Sequence, residues 1–491
     1  MFFKGVIFDL DDTLYDYKVC EKKAYKEVEE YLKNKYNFNL HPKLEELKKI
    51  IKNELKCTSA SHNRFIYFKK LLENTNIPLF EIIEINDIYW NEFYKNIKPR
   101  ECLEKFIKNL KSWGKKIIIL TDFQTEYQFK KLKKIGILDL IDYIVTSEEV
   151  GIEKPSFKMF DQVLRMTNLK KEELITFGDD LIKDVIASKD YGIHSFHMKF
   201  DTFNEFNEFF TDLHKDIEDF VKMCNIFGER FDLVQLGGGN ISVKNNNLMI
   251  IKASGFNMKN IDNCKGYSLI LNDKLLKDIS KDNNLNNYTI FKNDKPSIET
   301  YMHSILKKYT VHLHPIKINK ILVRKNSREE LKKIYPDALV LDYIPPGLKV
   351  AEKILSEDYQ NKKRIFLLNH GIILTSDSLE EIYQMVEEFE MKEFEIDKNY
   401  SLCENIYLNS KIDIIKKYYD KYCFPDAVIY LKNNYYIEND KIYLKSKNLE
   451  EILKANIMIL EGEGEIEFLE EEQINELCSR EDEKYRKNIK N

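Results

Sequence analysis

Two rhythms of apolar and polar positions run through the first 210 residues. Short stretches that are almost wholly apolar, at residues 5–8 (GVIF), 115–120 (KKIIIL), 143–146 and 174–177, read as buried strands, each stopping at a polar residue. Residues 17–100 instead carry apolar positions at helical spacing between charges, as in EKKAYKEVEEYLKNKY and HPKLEELKKIIKNEL, and predict a helical insert. Strands alternating with helices predict a doubly wound parallel sheet with its chemistry at the carboxyl ends of the strands.

The chain turns polar and Phe/Asn-rich over residues 201–211, which predicts a boundary there, with a helix over 217–227 opening a second unit. A glycine cluster, Gly237-Gly238-Gly239, precedes a short strand; further strands at 248–251, 310–313 and 364–368 mix with helices. Beyond Cys423, FPDAVIYLK and KIYLKS read as strands of a smaller addition, and EDEKYRK as a terminal helix. The expected organisation is a first domain over 1–210 (core 1–16 and 101–210, helical cap 17–100), a second over 211–400, and an extension of the second over 401–491.

Composition narrows the class. A chain of 491 residues exceeds one ordinary core, and 43% apolar with 32% charged residues fits globular domains. The net charge of −5, with both signs interleaved, gives no electrostatic case for a nucleic-acid partner. The eight cysteines are scattered without a C-x-x-C pair, so neither a disulfide framework nor a cysteine-zinc site is expected. The apolar run at the N-terminus is cut short by carboxylates, and no stretch reaches the ~20 apolar residues of a membrane span. The expected setting is the cytoplasm, with no membrane.

Phe8-Asp9-Leu10-Asp11-Asp12-Thr13 sets two acids two apart just after the first strand. Phosphoryl transfer wants this: one carboxylate attacks phosphorus, and a second protonates the leaving oxygen and then activates water. Asp after a strand is also a common helix N-cap. Further features fall at strand ends in order: Thr121, whose hydroxyl can bond a phosphate oxygen; Lys154, which can neutralise an aspartyl phosphate; and Gly178-Asp179-Asp180 with Asp184, acids that can bind a metal.

The set resembles the haloacid dehalogenase-like superfamily, in the branch with a helical cap between its first two motifs. The resemblance implies a Rossmann-like α/β core with Asp9 as nucleophile and Asp11 as general acid/base. Mg²⁺ would be held by Asp9, the Asp11 carbonyl and Asp179, with Asp184 supporting Lys154 or a metal-bound water, while Thr121 and Lys154 grip the phosphoryl group. Dehalogenase members lack the second acid, so Asp11 favours a phosphatase.

A second constellation lies in the other half. His312 and His314 sit in V-H-L-H-P; alternate residues of a strand share a face, so both imidazoles can reach one metal. His370 follows a buried run in L-L-N-H-G, and Glu299 opens a helix in P-S-I-E-T. Imidazoles with a carboxylate suit Zn²⁺ or another divalent ion. His303, one turn beyond Glu299, reads as packing or support; His41, His62, His194, His197 and His214 read as structural. Gly239, Asn240, Ser254, Gly255 and Ser297 lie on small-residue loops that can cradle a phosphate or simply turn the chain. Lys252, before one of these loops, reads either as a contact to an anionic group or as a surface lysine.

In the order G-N-I-S-V, K-A-S-G, S-I-E-T, H-L-H-P, N-H-G, this half resembles the class II aldolase/adducin family. The resemblance implies an α/β/α layered domain with His312, His314 and His370 as metal ligands, and Glu299 moving a proton beside the substrate carbonyl. It further implies a phosphate site at Gly239, Asn240, Ser254, Gly255 and Ser297, Tyr343 protonating an aldehyde oxygen, and a homo-oligomer such as a tetramer. Together the halves predict a bifunctional enzyme: a phosphatase on a small phosphorylated sugar, coupled to a lyase on a phosphorylated ketose. An epimerase, a decarboxylase, a dehydratase (methionine salvage included) and a non-catalytic binding half are the alternatives.

Overall fold

Strand β1 (Gly5–Phe8), buried at every position, has hydrogen-bonded neighbours on both sides. It lies at the centre of a five-stranded sheet, order β3-β2-β1-β4-β5, with β2 Lys116–Thr121, β3 Tyr143–Thr146, β4 Leu174–Gly178 and β5 His194–His197, all parallel. Strands buried on both faces need apolar residues at nearly every position, which is why the runs of β1, β2 and β4 do not alternate. The register pairs Phe8 with Ile119 and with Phe177, bringing the residues after β1, β2 and β4 to one sheet edge. The strand order reverses between β1 and β4, where a doubly wound sheet leaves a crevice.

The computed structural model describes residues 3–198, 202–245, 247–279, 284–290, 294–391, 411–438, 441–446 and 448–480. Cys403 and the run 481–487, expected to be helical, lie outside them. The chain divides into two compact units, Met1–Asp212 and Leu213–Asn491.

Between β1 and β2 the insert forms helices Tyr17–Tyr36, His41–Glu54, Arg64–Leu72 and Glu81–Lys95. Asp16 caps the first by accepting from Val19 N at 2.9 Å, and left-handed Asn37 ends it. Tyr25, Phe68, Tyr89 and Phe93 pack ring against ring in its core. The cap is tied to the loop after β1 by Arg100, whose Nε donates to Thr13 O at 2.9 Å.

Residues 204–211 of the polar stretch expected to hold the boundary are helical. Helix Asn204–Gly228 begins seven residues before Thr211, and the division between the units falls inside it. Its Phe206 and Phe210 are spaced for one helix face and pack on Phe177 and Phe196. Those aromatic contacts outweigh the polar composition of the segment.

The second unit holds a seven-stranded sheet, order β10-β11-β12-β9-β6-β7-β8. Its strands are β6 Asn240–Asn245, β7 Leu248–Lys252, β8 Tyr267–Leu271, β9 Tyr309–Leu313, β10 Leu339–Leu341, β11 Arg364–Leu367 and β12 Gly371–Ser376. The β10–β11 pair is parallel and the other pairs are antiparallel. Beyond it, β13 (Tyr435–Glu438) and β14 (Lys441–Leu444) pair antiparallel, and helix Leu449–Leu460 packs on helix Pro425–Leu431. FPDAVIYLK was expected to be a strand; residues 425–431 are helical because Pro425 suits a first helical turn, and all seven positions are buried. A short, wholly apolar run has no periodicity to separate strand from helix.

Two candidate active sites

Asp9, Thr121 and Asp179 follow or end β1, β2 and β4, and the parallel register gathers them. Lys154 Nζ, buried, donates to Asp9 Oδ1 and to Asp184 Oδ1, each at 2.6 Å. Thr13 Oγ1 lies 3.2 Å from Asp9 Oδ2 and 3.0 Å from Asp179 Oδ1. Oxygen atoms of Asp9, Asp179 and Asp184 lie within 4.8 Å of one another. At Gly178 a side chain would collide with Asp184, so only glycine lets that carboxylate fold back over the end of β4.

Burial pushes the Asp9 carboxyl well above its ordinary range; Lys154 opposes the shift, and Asp184 and Asp179 add to it. Keeping this crowd of acids ionised calls for a cation beyond Lys154. Three carboxylates suit a hard divalent ion such as Mg²⁺. The site opens into a cavity of about 300 Å³ lined by core residues and by Tyr17, Glu21, Arg64 and Trp90 of the cap.

Asp11 is held by groups the sequence did not single out. Lys131 grips both of its oxygens, Gln128 Nε2 donates to Oδ2 at 3.2 Å, and the Tyr15 hydroxyl donates to Oδ1. Burial pushes the Asp11 carboxyl up, yet Lys131, Tyr15 and Gln128 more than offset that, so it sits below its ordinary range. Gln128 also donates to Thr121 Oγ1 at 2.6 Å. Asp122 accepts from Lys154 N at 2.9 Å and from Lys183 Nζ at 2.7 Å, fixing the lysine loop over the site. His62, expected to be structural, lines the cavity and lies 3.4 Å from Glu153.

In the second unit β9 carries His312, His314 follows directly after its last residue, and the turn between β11 and β12 brings in His370. The Nε2 atoms converge: His312 lies 3.0 Å from His314 and 3.3 Å from His370. Glu299 Oε1 lies 3.4 Å from His312 Nε2. The backs of two rings are tied, His312 Nδ1 to Ile372 O at 3.1 Å and His314 Nδ1 to Asp426 Oδ2 at 2.6 Å. A neutral imidazole donating through Nδ1 turns the Nε2 lone pair inward, as a metal ligand requires. Burial lowers His312 to about 4 and His370 well below its ordinary range, so both offer lone pairs at neutral pH.

Gly237, Gly239, Lys252, Ser254, Gly255, Ser297 and Glu299 line a neighbouring depression. Lys252 is no surface lysine: it is 2% exposed, and its Nζ donates to Gly237 O at 3.3 Å. Asn240 is buried, and its side-chain amide finds no partner among the described residues. An orphaned buried amide beside a glycine turn is what a polar ligand would satisfy. Tyr343 packs against the C-terminal core and is not among the lining residues; Pro346 of the same loop is. His303 supports β6, its Nδ1 lying 2.8 Å from Ser242 Oγ.

Residues 6–198 match the family model of haloacid dehalogenase-like hydrolases. The ribulose-1,5-bisphosphate 5-phosphatase of Halopiger xanaduensis is 31% identical over 198 residues, covering 39% of this chain and 82% of that protein. The first unit belongs to this hydrolase family. The glyceraldehyde 3-phosphate phosphatase of Methanocaldococcus jannaschii is also 31% identical, over 192 residues, 39% of this chain and 82% of that protein. The haloacid dehalogenase-like unit is thus of the phosphatase type. Residues 218–392 match the class II aldolase and adducin N-terminal domain, so the hydrolase is joined to an aldolase-type domain. A solved class II aldolase domain from Thermoplasma acidophilum is 29% identical, covering 34% of this chain and 87% of that one with a TM-score of 0.32. Among the described residues no helix is long and apolar enough to cross a membrane.

Proposed function

We propose that the chain is a bifunctional cytoplasmic enzyme: a Mg²⁺-dependent phosphatase of small sugar phosphates, coupled to a divalent-metal-dependent lyase acting on a phosphorylated ketose. The observation that carries this reading is the joining of the Asp9–Lys154–Asp184 cluster and the three-histidine cluster in one chain. Relatives of the first unit act on ribulose-1,5-bisphosphate and glyceraldehyde 3-phosphate, and a cavity of about 300 Å³ suits ligands of that size.

In the phosphatase, Asp9 attacks phosphorus and the bond to the leaving oxygen breaks. Asp11, ionised beforehand, relays to that oxygen the proton that the substrate phosphate brings in its monoanionic form. Asp11 then takes a proton from water, whose oxygen attacks the same phosphorus and releases Asp9 and phosphate. Thr121 and Lys154 hold the phosphoryl oxygens. Asp9, Asp179 and the Asp11 carbonyl would hold Mg²⁺, with Asp184 close by; the ion would offset charge on the phosphoryl group.

In the lyase, His312, His314 and His370 would hold Zn²⁺ or a similar ion, which would polarise a substrate carbonyl. Glu299 moves the proton beside that carbonyl. Gly239, Asn240, Ser254, Gly255 and Ser297 receive the substrate phosphate, with Lys252 adding positive charge. The active form is a homo-oligomer built through this unit.

The test is phosphate release from sugar phosphates, and from dihydroxyacetone phosphate mixed with aldehydes, by wild type, Asp9→Asn and His312→Ala. Release from the aldehyde mixtures that needs both residues supports the coupled reading. If no C–C chemistry appears with either metal, the lyase assignment fails and the phosphatase stands alone.

A further inference from the structure

The segment after the aldolase-type match, which ends at residue 392, reaches back into the histidine cluster. Asp426 is fully buried at the start of helix Pro425–Leu431, with Oδ2 2.6 Å from His314 Nδ1. The glycine cluster makes room for it. A side chain at Gly238 would lie 2.5 Å from Asp426 Oδ2 and 3.0 Å from His314 Nδ1.

The same segment grips the turn that carries His370. Asn369 Nδ2 donates to Cys423 O at 3.0 Å and to Glu467 O at 2.8 Å. Asn369 itself adopts a left-handed conformation, φ 55°, which its short polar side chain tolerates. Two of the three histidines are therefore set from outside the matched domain, one directly and one through its neighbour.

Of the three imidazoles, His314 has a carboxylate behind it and His312 a backbone carbonyl, while His370 Nδ1 finds no partner among the described residues. A carboxylate accepting from Nδ1–H fixes the tautomer, orients the ring and makes Nε2 a stronger donor to a metal. A buried carboxylate with no such role would be costly to keep.

We propose that Asp426 is a positioning residue that holds His314 Nε2 as a metal ligand, making the C-terminal segment a working part of the metal site. This rests on reading the three histidines as metal ligands, and the experiment separates the two ideas. The full chain, with Mg²⁺ saturating the first unit, is titrated with Co²⁺ against a chromophoric chelator, and the visible spectrum of the bound ion is recorded. Wild type, Asp426→Asn, Asp426→Ala and His312→Ala are compared, with melting of the metal-free proteins as the folding control.

Asp426→Asn keeps the shape of the side chain and should weaken Co²⁺ binding about tenfold, and Asp426→Ala up to about a hundredfold, with a changed spectrum. A residue that served only to pack the helix would move the melting point and leave the spectrum of the bound ion alone. Wild-type affinity and spectrum in Asp426→Asn, with binding lost in His312→Ala, would overturn the proposal and keep the metal site. Unchanged binding in His312→Ala would overturn both.

Discussion

Lys131 Nζ lies 2.8 and 2.9 Å from the two carboxylate oxygens of Asp11, and the lysine is 1% exposed. Burial lowers the Lys131 ammonium against the pull of Asp11, while Asp11 ends below its ordinary range. The proposed acid/base is thus clamped in its ionised form, and its proton is to be supplied during the reaction.

Lys131→Met should destabilise the first unit by roughly 2–3 kcal/mol at pH 7, less than a fully buried pair would lose, because 27% of the Asp11 side chain is exposed. The sign follows from linkage. Asp11 now contributes stability above the ordinary carboxylate range, and that stability is lost as pH falls through its lowered pKa. Without Lys131 that pKa rises, so the deficit should shrink as the pH is lowered. Urea denaturation at pH 7 and pH 4.5 checks this; an equal deficit at both would contradict it.

Lys154→Met should cut phosphate release by at least about a thousandfold, since it removes charge stabilisation at the phosphoryl group and leaves Asp9 and Asp184 facing each other. Stripping divalent ions with a chelator should abolish release as fully, and Mg²⁺ should restore it in wild type only. Initial rates on one sugar phosphate suffice.

Lys252→Ala should raise KM for a phosphorylated lyase substrate by roughly ten- to a hundredfold, because a buried cation beside the cradle is lost. Phosphate release by the first unit should not change. An unaltered KM would remove Lys252 from the anion site.

Burial lowers His303 to about 3, with Glu299 opposing the shift. Its folded pKa thus lies below the unfolded one, so the unfolded chain takes up a proton first as the pH falls. The share of stability due to His303 is complete above about pH 6.5 and declines by about 1.4 kcal/mol per pH unit toward pH 3, on top of the like contributions of His312 and His370. His303→Asn keeps a polar atom near the Nδ1 position facing Ser242 and should reduce the slope between pH 6 and 4.5 by about that amount, which thermal unfolding of the metal-free protein would show.

What the sequence could determine was local periodicity and the chemistry attached to it. Apolar runs marked β1, β2, β3 and β4, and the residues at their ends named Asp9, Thr121 and Asp179, whereas Lys154, expected at a strand end, sits eight residues past β3 in the loop after a short helix (Ser147–Val150). The two-residue period of a strand likewise paired His312 with His314, which follows directly after β9. Only the tertiary structure could decide which distant groups close around them. Lys131 lies 120 residues from Asp11, and Asp426 lies 112 from His314, each on a helix with no motif to announce it. Helix Pro425–Leu431 escaped for the same reason as its aspartate. Buried on all sides, it shows no polar face, and packing rather than pattern chose its conformation and brought Asp426 to the histidines.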